Sequence, residues 1–275
     1  MKKLSLLFSY LILIAVCAFI GPQKNIPPAQ SRDIAREVST QAIMAEIAAP
    51  EVDLLEHDAP SNDIGAEIIN AASDEAMPFT MENSLIIGDS RVTGLRDFSR
   101  LEGVDYFADV GMSVYVVCKK ELPMGELGDI SLEALLTTKA YDKIYTMMGI
   151  NEIGYDYAVT ARKYGELLAL IRTHQPEAEI FMMANLHVTE EHSLNSKYTS
   201  NEAIDGLNAH LYQLSLDENI PYLDANTYFL DENGFLPDEK AEDGVHLFPS
   251  QYVLWGQWIS DMSQQFMASQ QVSDH

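Results

Sequence analysis

From residue 84 onward, short apolar runs alternate with longer stretches in which apolar residues recur every three or four positions. The short runs are typical of buried strands, and the longer stretches are typical of helices that bury one face. This alternation predicts an α/β domain whose parallel sheet is covered by helices on both faces. The predicted strands are 84–87, 106–110, 143–148, 179–184 and 221–224, and the helix patterns run through Tyr164, Leu167, Leu168 and Ile171, through Ile204, Leu207, Leu211 and Leu214, and through Tyr252, Trp255, Ile259, Met262 and Phe266.

Residues 1–21 have the pattern of an export segment. Lys2 and Lys3 precede an apolar run of 17 residues, 4–20, which ends before Gly21-Pro22. A basic start followed by such a run is typical of a signal peptide, and the run also approaches the length of a membrane-spanning helix. We therefore expect an exported protein, with either a cleaved signal peptide or an uncleaved anchor in the cytoplasmic membrane. The rest of the chain is then extracellular or at the cell surface.

Residues 22–83 differ in composition from the predicted domain. They hold 12 acidic and three basic residues, several prolines and almost no aromatic side chains. Such a segment has little apolar surface from which to build a core. We predict an acidic linker or stalk over 22–83, followed by a single α/β domain over 84–275. The alternative is that residues 22–83 form an extra structured lobe.

Charge and cysteine content exclude several functional classes. The chain carries 17 basic and 42 acidic residues, a net charge of −25, which argues against binding to nucleic acid. One of its two cysteines, Cys17, lies in the leader, so Cys118 stands alone in the remainder. The sequence therefore predicts neither a disulfide framework nor a C-x-x-C metal or redox site.

Three predicted strands lead into turns that carry polar groups or glycine. The first leads into Gly88-Asp89-Ser90, the second into Gly111, and the third into a turn containing Asn151. Because parallel strands share a carboxyl edge, these turns are expected to lie side by side. A hydroxyl, flexible backbone N–H groups and a carboxamide would then converge on one site.

A serine nucleophile needs a base, and the base needs an orienting group. The chain has seven histidines, and only His246 has a carboxylate at close local spacing in a loop before the last predicted helix. Asp243 precedes it by three residues, with Gly244 between them to permit a turn. This spacing favours Asp243 bonded to one imidazole nitrogen, with the other nitrogen left for Ser90.

Taken together, these motifs resemble the four sequence blocks of the SGNH/GDSL hydrolase family. Residues 86–90 are similar to the first block, Gly111 to the second, 149–152 to the third and 243–246 to the last. The resemblance implies a three-layer α/β/α sandwich with a five-stranded parallel sheet, of the flavodoxin-like type.

The resemblance also implies a mechanism, namely ester hydrolysis through an acyl-enzyme on Ser90, with Asp243 and His246 completing a catalytic triad. The oxyanion is expected to be held by the backbone N–H groups of Ser90 and Gly111 and by the side chain of Asn151. No metal or cofactor is expected.

Two departures from the family pattern bear on the site. Arg91 follows the nucleophile where the name-giving form has Leu, and it is either a solvated residue of the first helical turn or a contact to an anionic or sugar substrate. Glu152 replaces the common Asp of the third block, at a supporting position. The spacing of His187 and His192 does not suit a metal site, so this segment is expected to be a solvated or substrate-side loop, with His187 as a candidate substrate-binding residue.

The sequence thus predicts an exported serine esterase acting on short acyl esters, such as acetyl groups on polysaccharide or cell-wall glycan. Two alternatives stay open. An O-acyltransferase on the same fold would pass the acyl group to a sugar hydroxyl instead of water, and a catalytically silent carbohydrate-binding or scaffold protein would leave the triad unused.

Overall fold

The structure, a computed structural model, describes residues 79–273, with side chains described to residue 270. The predicted leader and nearly all of the predicted acidic linker lie outside the described residues. The linker's last five residues, 79–83, belong to the first strand, which begins earlier than the sequence pattern predicts. Within the described range, no helix combines the length and apolarity needed to cross a membrane.

Within residues 79–273, five parallel strands form the central sheet, as predicted. The strands of this range are β1 (Phe79–Gly88), β2 (Leu101–Ala108), β3 (Glu121–Pro123), β4 (Asp129–Ser131), β5 (Lys143–Met147), β6 (Glu179–Met183) and β7 (Tyr222–Leu223). The order across the sheet is β2-β1-β5-β6-β7, and each neighbouring pair is parallel. A separate antiparallel pair, β3 and β4, was not predicted from the sequence pattern.

Helices connect the strands and follow the last of them. The α-helices are α1 (Ser90–Phe98), α2 (Leu132–Thr138), α3 (Tyr157–His174), α4 (Glu190–Asn195), α5 (Asn201–Asp217), α6 (Asn226–Phe229) and α7 (Pro249–Ser273). The three predicted amphipathic patterns fall in α3, α5 and α7. Short 3₁₀ turns lie at Val117–Lys119, Gly125–Leu127, Ile150–Glu152 and Asp238–Lys240.

The sheet is buried on both faces, which gives the three-layer α/β/α sandwich that was predicted. Alternate residues of a strand point to opposite faces. Leu85 and Ile87 of β1 accordingly pack in one apolar cluster with α2, α3 and α5, whereas Ile86 packs in a second cluster with α1 and α7. Because both faces are covered, the polar groups that follow the strands are confined to the edges of the sheet.

Candidate active site

Ser90 lies where the central strand β1 turns into helix α1. Asp89 caps the helix, since its Oδ1 accepts a hydrogen bond from the Arg91 N–H at 3.0 Å. The turn is tight at Gly88, where an added Cβ would lie 2.2 Å from Val92 Cγ2 and 2.5 Å from the Met147 carbonyl oxygen. The strand and helix packing thus fixes Ser90 at the carboxyl edge of the sheet, in the first turn of α1.

Three polar side chains form a hydrogen-bonded chain at this edge. Asp243 Oδ2 lies 2.8 Å from His246 Nδ1, and His246 Nε2 lies 2.9 Å from Ser90 Oγ. The second carboxylate oxygen of Asp243 accepts from the backbone N–H of Val245 at 2.9 Å and from that of His246 at 2.7 Å. This arrangement lets Asp243 orient the imidazole while Nε2 faces the serine hydroxyl.

The loop that carries this pair needs a glycine at position 244. Gly244 has a φ of +84°, a conformation that favours glycine. An added Cβ there would also lie 2.9 Å from His192 Cβ and 3.0 Å from Thr189 Oγ1. The contact between Asp243 and His246 therefore depends on Gly244, which can adopt this turn and pack closely against its neighbours.

Asp243 is ionised at neutral pH. Partial burial raises its pKa, but hydrogen bonds from the backbone and ring of His246 and from the Val245 N–H outweigh burial and lower the pKa to about 2. An ionised carboxylate can only accept a hydrogen bond. When the His246 ring holds a single proton, that proton is therefore on Nδ1, and Nε2 is able to accept from Ser90.

Gly111 and Asn151 lie on exposed turns that follow β2 and β5, the two neighbours of the strand before Ser90. Gly111 has a φ of +74°, and among residues 79–273, its own chain neighbours aside, no atom lies within 4 Å of the position a Cβ would take. Asn151 Nδ2 donates to the Met112 carbonyl at 2.9 Å, which ties the two turns together.

Glu152 is a buried carboxyl group beside this turn, and its depth was not apparent from the sequence. Its Oε1 accepts from the Val114 N–H at 2.7 Å, while no described residue bonds Oε2. Burial, with a smaller contribution from the negative charge of Asp89, raises the pKa of Glu152 to about 7. Burial likewise raises the pKa of Asp89 to about 6, although Arg91 opposes the rise. Two carboxyl groups thus lie buried behind the edge that carries Ser90.

The structure corrects both interpretations of Arg91 made from the sequence. The residue is 1% exposed, so it is neither a solvated helix residue nor available to a substrate. Its Nε donates to the Val245 carbonyl at 3.1 Å, and its Nη1 donates to the Leu186 carbonyl at 2.6 Å. The guanidinium therefore points inward and bonds two loops.

His187 is also placed differently from the prediction that it contacts substrate. Its Nε2 lies 2.7 Å from Asp205 Oδ1, its Nδ1 lies 2.8 Å from the Gly234 carbonyl, and its side chain is only 12% exposed. Burial lowers the pKa of His187, but the hydrogen bond and charge of Asp205 outweigh it and raise the pKa overall. Both ring nitrogens face acceptors within the protein, so neither is left for a ligand. Over residues 79–273, no three His, Cys, Asp or Glu side chains lie close enough to hold a metal ion.

The comparisons with known proteins agree with this fold. The model of the GDSL-like lipase/acylhydrolase family matches residues 87–253. A candidate platelet activating factor from Streptococcus pneumonia has a similar structure, with a TM-score of 0.56, 21% identity, and coverage of 72% of this chain and 89% of that one.

Two further solved structures are similar. One is a GDSL-like lipase from Bacteroides thetaiotaomicron, with a TM-score of 0.51, 15% identity, and coverage of 73% of this chain and 96% of that one. The other is an acetyl xylan esterase, with a TM-score of 0.50, 13% identity, and coverage of 65% and 98%. At these identities the similarity shows a shared fold. No curated protein matches the chain.

Proposed function

The chain belongs to the GDSL-like lipase/acylhydrolase family, and we propose that it is an exported serine esterase that hydrolyses short acyl esters through an acyl-enzyme on Ser90. One observation carries the proposal, the continuous chain from Asp243 through His246 to Ser90, with contacts of 2.8 and 2.9 Å. A serine hydroxyl is a weak nucleophile until a positioned base accepts its proton. His246 Nε2 is in position to act as that base.

In the proposed first step, His246 Nε2 takes the Ser90 proton as Oγ attacks the ester carbonyl carbon. The negative oxygen that forms is stabilised by the N–H groups of Ser90 and Gly111 and by the amide of Asn151. His246 then gives its proton to the leaving alkoxide, which departs as the alcohol. In the second step water attacks the acyl group, His246 takes the proton from the water and returns it to Ser90, and the acid is released.

The open form of the site supports a bulky alcohol portion in the substrate, such as a glycan. The side chains of His246 and Asp243 are 35% and 55% exposed, and both Gly111 and Asn151 are exposed. An ester on the surface of a polymer could therefore reach Ser90 without entering a closed cavity. Export through the N-terminal segment, which we retain as part of the proposal, would place the enzyme where such polymers occur.

A pair of stacked tyrosines adds to the case for a glycan. Tyr115 follows Gly111 by four residues, and Tyr155 follows Asn151 by four. Their ring centroids lie 5.2 Å apart, and Tyr155 is 60% exposed. Tyr115 is anchored to helix α3 by a hydrogen bond, because its hydroxyl lies 3.0 Å from Thr160 Oγ1. The segments that bear the proposed oxyanion donors thus also bear an exposed aromatic face, of the kind on which apolar sugar faces can stack.

A substrate screen tests the proposal. The full-length protein is incubated with aryl acetates of increasing acyl length and with acetylated polysaccharides, and the released acid is measured. We expect the acetyl esters to be cleaved fastest and Ser90→Ala to be inactive. Transfer of the acetyl group to an added sugar, in place of acid release, would favour the acyltransferase alternative. Turnover by Ser90→Ala equal to that of wild type would contradict the proposal.

A further inference from the structure

Arg91 links the nucleophile to the base through the backbone. It is the residue directly after Ser90, and its Nε bonds the carbonyl of Val245, the residue directly before His246. Ser90 Oγ and His246 Nε2 are in contact at 2.9 Å. The bond from Arg91 to Val245 is a second connection between the same two segments.

The peptide unit between Val245 and His246 is held at both of its polar ends. Its N–H, which belongs to His246, donates to Asp243 Oδ1 at 2.7 Å, and its C=O, which belongs to Val245, accepts from Arg91 Nε at 3.1 Å. The N–H and C=O of a trans peptide point in opposite directions. The plane is consequently fixed from two sides, and the direction in which the His246 side chain leaves the backbone is fixed with it.

The second arm of the guanidinium strengthens this support. Nη1 donates to the Leu186 carbonyl in the segment that follows β6. The same segment contacts the His246 loop directly, since the Thr189 N–H donates to the Gly244 carbonyl at 3.0 Å. Arg91 thus joins helix α1 to two loops that also bind each other.

A residue that only filled this space would be expected to be apolar. A buried guanidinium loses its hydration, and in this chain its two described hydrogen bonds both go to backbone carbonyls. The planar fork of arginine can donate in two fixed directions, which the single ammonium of lysine cannot reproduce.

We propose that Arg91 is a positioning residue, which sets the distance and angle between Ser90 and His246 by bonding the Val245 carbonyl and the Leu186 segment. The inference rests on the proposed serine esterase function. In this role the guanidinium does not contact the ester. Its loss should therefore slow the chemical step and leave substrate binding unchanged.

Kinetics of Arg91→Lys and Arg91→Met provide the first test. With an aryl acetate, we expect kcat to fall about 10- to 100-fold in both variants, because small misplacements of catalytic groups cost up to about 10²-fold. KM should stay within about twofold of wild type. A change in KM with kcat retained would mean that Arg91 contacts substrate, and it would overturn the proposal.

Leu168→Ala serves as the matched control for lost stability, because Leu168 is fully buried in the cluster on the other face of the sheet. Each rate is normalised to the folded fraction measured by circular dichroism. We expect the control to lower thermal stability and to keep its kcat. If the arginine variants lose stability like the control and keep kcat, Arg91 has only a structural role and the proposal is wrong.

Two further measurements test whether Arg91 acts through His246. In an Asp243→Asn background, Arg91→Met should cost much less than in wild type, since both changes disturb the same histidine. The low-field proton NMR signal of the His246 Nδ1–H should broaden in both arginine variants and persist in the control. If the wild-type protein did not hydrolyse esters, only the proposed function would be contradicted. The NMR signal tests the positioning role of Arg91 separately, because it is measured without turnover.

Discussion

Replacing Glu152 by Gln should remove a pH-dependent loss of stability. Glu152 is fully buried, and burial raises its pKa from 4.5 to about 7. Because the folded pKa lies above the unfolded value, the folded state binds more protons between these two pH values. The stabilisation is fully present below about pH 4.5 and is lost as the pH rises through about 7.

The size of the effect follows from the shift. One pKa unit corresponds to about 1.4 kcal/mol, so the ionisation of Glu152 lowers the free energy of unfolding by about 3 kcal/mol between pH 4.5 and pH 8. Gln keeps an oxygen that can accept from the Val114 N–H but cannot ionise. Asp89 titrates in both proteins, and its charge contributes less to the Glu152 shift than burial does, so the difference between wild type and variant reports mainly on residue 152.

The measurement is denaturant unfolding of both proteins, followed by tryptophan fluorescence at several pH values from 4.5 to 8.5. The stability of Glu152→Gln relative to wild type should rise by about 3 kcal/mol across this range. Two stability curves that stay parallel from acid to alkaline pH would show that the carboxyl group is not held neutral by burial, and the reasoning would fail.

Other predictions concern the proposed catalytic residues and the tyrosine pair. Asp243→Asn should keep the fold, checked by circular dichroism, and lower kcat by about 10⁴, because the imidazole is held in the wrong tautomer; a loss under tenfold would contradict this. Asn151→Ala should lower kcat by about 10² to 10³ while Ser90 still reacts with a fluorophosphonate, since one oxyanion donor is lost. Tyr155→Ala should raise KM for an acetylated oligosaccharide and leave KM for an aryl acetate unchanged; equal changes for both substrates would exclude sugar stacking.

The sequence predicted the sheet and the order of the site segments because both depend on local patterns. Runs such as 144–148, which is apolar except for Thr146, report burial on both faces directly. The strand before Ser90 and its neighbour β2 both begin about five residues earlier than predicted. Their first halves carry polar residues such as Glu82 and Glu102, which interrupt the apolar run, so strand pairing there could not be seen from hydropathy.

The contacts of single polar residues were harder to predict, because they depend on segments far apart in the chain. Arg91 bonds Val245, which lies 154 positions away, and His187 bonds the Gly234 carbonyl, which lies 47 positions away. A charged residue in the first turn of a helix is usually solvated, so nothing local indicated that Arg91 is buried. For Glu152, the sequence indicated a position near the site, because the residue directly follows Asn151 in the third block. It did not indicate that the carboxyl group is buried.

Trapping the acyl-enzyme tests the central claim most directly. Full-length protein is mixed with an aryl acetate and quenched in acid before the steady state, and the acetylated residue is located by peptide mass spectrometry. We predict one acetyl group on Ser90, formed in a burst with the aryl alcohol and absent in Ser90→Ala and His246→Ala. Wild-type turnover with no acetyl group on Ser90, or with a stable acetyl group on another residue that forms as fast as the alcohol, would contradict the account.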